Sequence, residues 1–133
     1  MIGVLVAALS LMATVFTHAG KAIVTNRIKG SGTEPNYTAW GTGAGTAAVG
    51  DTTLFTEASE TRVAGTSTRV TVTQTNDTYQ VVGQITANAG KTITNSGLFD
   101  AVSSGNMLVK GDFTGLALNL NDAIEFTWQL QFT

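Results

Sequence analysis

Cysteine is absent from the 133 residues, so no disulfide, thiolate metal site or cysteine nucleophile is available, and stability has to come from burial or association. Charge is scarce too: Asp, Glu, Lys and Arg make up 12% of the chain, against about 25% in typical soluble domains. Seven Lys and Arg against nine Asp and Glu leave a net charge of -2. That is too little positive charge to release the counterions that drive nucleic-acid binding, and no nucleic-acid partner is expected. There is one proline, Pro35, and one histidine, His18. A triad or metal cluster built on His18 would need carboxylates or a second subunit to complete it, so no metal, cofactor or catalytic residue is assigned. Disorder is excluded by a hydrophobic fraction of 43%. The length is that of one domain.

Thr, Gly, Asn and Ser fill the positions between apolar residues, a mixture that favours strands and tight turns. From Ala123 to Thr133, Ile124, Phe126, Trp128, Leu130 and Phe132 alternate with polar residues, the pattern of a half-buried strand with an aromatic face. Tyr79 to Ile85 has the same period, as has the Arg69 to Thr75 run before it, and Asn76-Asp77 between them suits a tight hairpin. Lys91 to Thr94, Leu98-Phe99, Met107 to Lys110 and Leu116 to Leu120 follow. Asn95-Ser96-Gly97, Ser103 to Asn106 and Asn121-Asp122 read as the turns that separate them. Ala22 to Ile28 and Tyr37 to Trp40 are two more candidate strands. The expected fold is all-β, an antiparallel sandwich or jelly roll over residues 20–133. Gly41 to Thr61 lacks alternation and reads as a long loop of functional or interface character.

Residues 1–19 stand apart as an apolar arm or short helix. Met1 to Phe16 carry no charge, and Ile2, Leu5, Leu9, Met12 and Phe16 recur at helical spacing. The run is short of the about 20 apolar residues of a membrane span, no cation precedes it as in a secretory leader, and no membrane partner is expected. Such a helix must pack on the β-domain or on another chain. Met12-Ala13-Thr14 also looks like a translation start, which would leave the first eleven residues untranslated.

Motifs for chemistry are weak. Gly83 to Thr92 ends like a phosphate loop, yet Ile85 stands where a glycine is needed and Thr92-Ile93-Thr94 is β-like, so a hairpin turn is the reading. Gly41-Thr42-Gly43-Ala44-Gly45 lacks the third glycine and the βαβ setting of a dinucleotide fingerprint. The nine carboxylates are scattered, mostly at turns, and no enzymatic activity is expected. Asn36-Tyr37-Thr38 and Asn76-Asp77-Thr78 match the glycosylation tripeptide, which is common by chance.

Several segments resemble a family of small tailed-bacteriophage virion proteins, the capsid cement or decoration proteins, some of which are called tail-fibre proteins. These are Gly20 to Gly30, Tyr37 to Gly43, Thr56-Glu57-Ala58 with Arg62-Val63, Asn76 to Gly83, Thr94 to Asp100 and Leu108 to Phe113. The likeness runs from Met12 to Thr133. It implies a jelly-roll or sandwich domain on the outer capsid surface of the virion, as a dimer or trimer, bracing neighbouring copies of the major capsid protein. The first eleven residues depart from the pattern. A tail, neck or fibre-attachment module is the second expectation. A carbohydrate-binding sandwich that stacks sugars on Tyr37, Trp40 and Trp128 is the third. For the first, the expected interface residues are Leu5, Leu9, Met12 and Phe16 of the arm, Arg27 and Lys29 beside the first strand, and Leu54 and Phe55 of the long loop.

Overall fold

A computed structural model describes residues 11–133. Strand β1 (Leu11–Phe16) and helix α1 (His18–Ile28) are followed by β2 (Tyr37–Gly41), β3 (Val63–Ala64), β4 (Thr66–Val70), β5 (Thr78–Thr86), β6 (Lys91–Phe99), β7 (Met107–Leu118) and β8 (Ala123–Gln131). The strands form a five-stranded sheet of order β1-β7-β6-β2-β3 and a three-stranded sheet of order β4-β5-β8. All pairs are antiparallel. The two sheets pack against each other as the expected sandwich. Between them lie Trp40, Phe113, Phe126 and Trp128, with Phe126 stacked on Trp128 at 6.1 Å and edge-on to Trp40 at 6.4 Å. The aromatic face of the last strand is therefore core.

Several local readings of the sequence are corrected. The Ala22 to Ile28 run is helical, because its two ends are capped. The Thr17 hydroxyl accepts the Gly20 N–H, and Ser31 N–H and Gly30 N–H return to the Asn26 and Arg27 carbonyls around a Gly30 with φ of 84°. These brackets outweigh the β-branched run Ile23-Val24-Thr25. Residues 11–16, expected as part of a helix, instead form the edge strand β1 on β7. The boundary drawn between residues 19 and 20 falls inside α1, so arm and sandwich are continuous there.

Asn95-Ser96-Gly97 makes no turn; β6 runs straight through it. Likewise β7 is one strand, with a bulge where the pairing steps from Ile93 opposite Leu116 to Asn95 opposite Asp112. The β5 to β6 connection at residues 87–90 is an arch between sheets and not a hairpin, since the two strands belong to different sheets. Finally, β4 stops at Val70, and residues 71–77 form a loop gathered on Asp77, whose carboxylate accepts the N–H groups of Val72, Thr73 and Gln74. Those bonds hold the Asp77 carboxyl well below the usual carboxylate range.

Thr17 joins the first two elements to the body. It is fully buried, its hydroxyl donates to the Met107 carbonyl at 2.5 Å, and its N–H donates to the Leu108 carbonyl at 3.1 Å. Thr17→Val keeps the shape and removes the hydroxyl. It should cost about 1–2 kcal/mol, read as a lower urea midpoint with an unchanged slope.

Candidate interaction surfaces

Because strand side chains alternate, the five-stranded sheet has a second face turned away from the three-stranded one. Register places Asn95 opposite Asp112, Gly97 opposite Lys110 and Phe99 opposite Met107 on that face. Residues 42–57 cover it. Leu54 packs on Ala39, Phe99 and Met107 in a core of its own, which fits only because Gly97 has no Cβ, for one would lie 2.9 Å from Met107 Sδ and 3.1 Å from Leu54.

The covering loop is held by buried polar groups. Asn95 is 0% exposed; its Oδ1 accepts the Phe55 N–H at 3.0 Å and its Nδ2 donates to the Phe55 carbonyl at 3.1 Å. Asp112 accepts the Ala47 N–H at 2.7 Å. Lys110 is also 0% exposed, and its ammonium reaches Asp51 Oδ2 at 2.8 Å, the Thr53 carbonyl at 3.0 Å and the face of Phe55 at 3.1 Å. Burial works against the Asp51 carboxylate, but the bond from Lys110, the Ala48 N–H and the Lys110 charge together outweigh it and lower its pKa.

A second buried carboxylate, Glu60, accepts from the Trp40 indole at 3.0 Å, from the Asn88 N–H at 3.0 Å and from Lys91. Burial opposes its charge, yet these donors win and hold its pKa at about 2. Arg62 makes a two-pronged bond to Glu57 at 2.7 and 3.0 Å and lies over Phe99.

Among the described residues there are two sizeable openings, one of about 440 Å³ on the outer face of β4-β5-β8 beside β3 and a larger one beside α1. In register, Arg69, Tyr79 and Leu130 lie side by side on the inner face of the three-stranded sheet, with Leu108 of β7 beside them. Helix α1 faces them with Ile23, Val24 and Arg27, leaving a groove of about 550 Å³ between. The Tyr79 hydroxyl closes one wall, 3.0 Å from the Pro35 carbonyl and 3.2 Å from Glu34. Burial, then the adjacent Glu34 charge, push the phenol above its usual range, so it stays a neutral donor. Two apolar side chains stand exposed on the rim, Ile28 at 83% and Phe132 at 55%.

The expected interface residues fall in different places. Leu5 and Leu9 lie outside the described residues, and Met12 is in β1. Phe16 is half-buried against the main core. Leu54 is 5% exposed and belongs to the second core, and Phe55 carries Lys110 on its ring, so both serve to fasten the loop. Arg27 and Lys29 flank no strand; they end α1, where positive charge suits the helix dipole. Arg27 alone of the set lines the groove. Trp40 is 1% exposed and Trp128 9%, so the sugar-stacking reading loses both of its tryptophans.

Lys110 escaped the sequence reading because a polar residue in a strand pattern looks like the solvent side, Asn95 because Asn-Ser-Gly reads as a turn, and Asp112 and Glu60 because scattered carboxylates read as turn caps. No signal in the sequence separated Asn95-Ser96-Gly97 from a turn, although β6 runs continuously from Lys91 to Phe99. Among the described residues, no three His, Asp or Glu side chains gather as a metal-binding group, and no helix is long and apolar enough to cross a membrane. No protein-family model, curated protein or solved structure matches the chain.

Removing Asp51 strands a fully buried ammonium. Asp51→Ala should cost about 3 kcal/mol and release amide protection across residues 42–57 in hydrogen exchange, whereas Lys110→Met, which removes the charge with its partner left near solvent, should cost less. Equal costs would show that the ion pair is not what holds the loop. Glu60, with Asp51 and Asp77, makes stability depend on acid pH: its folded pKa is depressed from 4.5 to about 2, so its contribution is complete above 4.5 and is lost as the pH falls toward 2. Glu60→Gln should lower stability at neutral pH by about 1.5–3 kcal/mol and flatten the melting temperature across that acid window.

Proposed function

We propose that this chain is a non-enzymatic structural protein of a tailed-bacteriophage virion, a capsid cement protein that braces neighbouring major capsid subunits on the outer shell. The observation that carries the reading is how the ionisable groups are used. Asp51 and Glu60 are bound in ion pairs that fasten loops to the five-stranded sheet, and Glu57 pairs with Arg62, which also donates to the Ala101 and Ser104 carbonyls of the β6–β7 loop. Asp77, Asp100, Asp112 and Asp122 accept backbone N–H groups at turns or under the covering loop. Such side chains stiffen a scaffold, and a bracing protein has to be stiff to transmit load between the subunits it joins.

The groove beside α1 supplies the face by which the scaffold would dock. A cement role also suits a small domain of low charge, since a few kcal/mol per copy, repeated over a shell, gives a large total. The segments from Met12 to Thr133 that resemble the cement family point the same way.

Quantitative mass spectrometry of purified virions tests this. The expected result is hundreds of copies, in a simple ratio to the major capsid protein. A dozen or fewer would move the protein to the neck or tail. Absence would overturn a virion role.

A further inference from the structure

We propose that the groove between α1 and β4-β5-β8 binds a peptide segment of a partner protein that carries acidic residues beside an apolar anchor. The inference deepens the reading of this face as the docking face and does not depend on the partner being a capsid subunit.

Charge is distributed very unevenly. His18 to Lys29 contains Lys21, Arg27 and Lys29 and no carboxylate. Of the remaining four cations, Arg62, Lys91 and Lys110 are bound in internal ion pairs. The fourth, Arg69, lines the groove opposite Arg27. Among the described residues, the cations without an internal carboxylate are therefore those of α1 and this groove. Arg27 is lightly tethered, donating only to the Gly32 carbonyl at 2.9 Å. The floor between the two guanidinium groups is Ile23, Leu108, Leu130 and the Tyr79 ring. Apolar floor and cationic rim together match a segment that inserts an apolar side chain and presents carboxylates on either side.

Shape narrows the partner. The groove is concave and contains Glu34, so a flat anionic bilayer would meet the rim but not the floor. On one side it is bounded by Ser67, Thr68 and Arg69 of β4, the edge of the three-stranded sheet, beside which an extended segment can lie as an added strand. A second copy of this chain is a poor source of the acid. Its carboxylates are taken up internally, including Glu34 by Tyr79, except for Glu125 on the exposed face of β8.

The test uses the full chain and a dye-labelled short peptide of alternating glutamate and phenylalanine. Two control peptides replace phenylalanine by serine or glutamate by lysine. Saturable, salt-weakened binding that shifts the amide resonances of Ile23, Tyr79 and Leu130 is expected, with both controls at least about tenfold weaker. Arg69→Glu and Phe132→Ser, both at exposed positions, should each weaken binding about fivefold or more while the remaining amide spectrum is unchanged. Equal binding of either control, or no loss in Arg69→Glu, would overturn the proposal. So would displacement of the peptide at lower concentration by phosphatidylglycerol vesicles or single-stranded DNA. Failure here with hundreds of copies in virions would leave the cement role standing. Success with none in virions would leave the groove and remove the shell.

Discussion

The buried ammonium of Lys110 sets a constraint on which much of the fold depends. A lysine with no exposed surface is tolerable only where its charge is met, and Asp51, the Thr53 carbonyl and the Phe55 ring meet it from a single loop. The strand and the loop are thus mutually required. Without residues 42–57, the face bearing Asn95, Lys110 and Asp112 would be a polar strip with Phe99 and Met107 stranded on it. Without that strip, the loop would lose the donors and acceptors that offset the entropy of ordering it.

The same residues fix strand register. On β7, Val109 and Phe113 point to the aromatic core while Lys110 and Asp112 point to the loop. A slip of one residue against β6 would drive a lysine and an aspartate in among Trp40, Phe126 and Trp128 and turn Val109 and Phe113 outward. Hydrophobic alternation alone specifies such a strand loosely when both faces are covered. Here each polar residue has one place where it can be satisfied.

What the sequence revealed follows from this. Period-two alternation exposed β5 and β8, because each has one face in the core and one in solvent, and the sandwich class followed from them. Turns at Ser103 to Asn106 and Asn121-Asp122 were legible because Gly105 and Asn121 adopt positive φ, which glycine and asparagine favour. β6 was broken in two on paper because Asn, Ser and Gly normally mark turns, whereas here they are a ligand for a loop, a buried donor to the Ala39 carbonyl and a gap for Leu54. Helix α1 was misread from its β-branched middle, although its ends, Thr17 and Gly30, carried the answer. The groove was not legible at all. Arg69, Tyr79 and Leu130 are brought side by side only by pairing across three strands, and Arg27 reaches them from a helix that the alternation did not suggest.

A low-charge protein that engages most of its carboxylates in turns and ion pairs is left with a polarised surface. Acids in ion pairs are neutralised by their partners and those at turns keep their charge away from α1, whereas the cations of α1 stand beside an open, partly apolar cleft with no carboxylate among residues 18–29. For the acidic segment proposed above, attraction to these cations would orient the approach by that end, and the exposed Ile28 and Phe132 would supply short-range burial. Stiffness comes from the buried polar contacts and direction from the cations they leave unpaired. In this chain the two properties have one origin, the unequal use of its few charges.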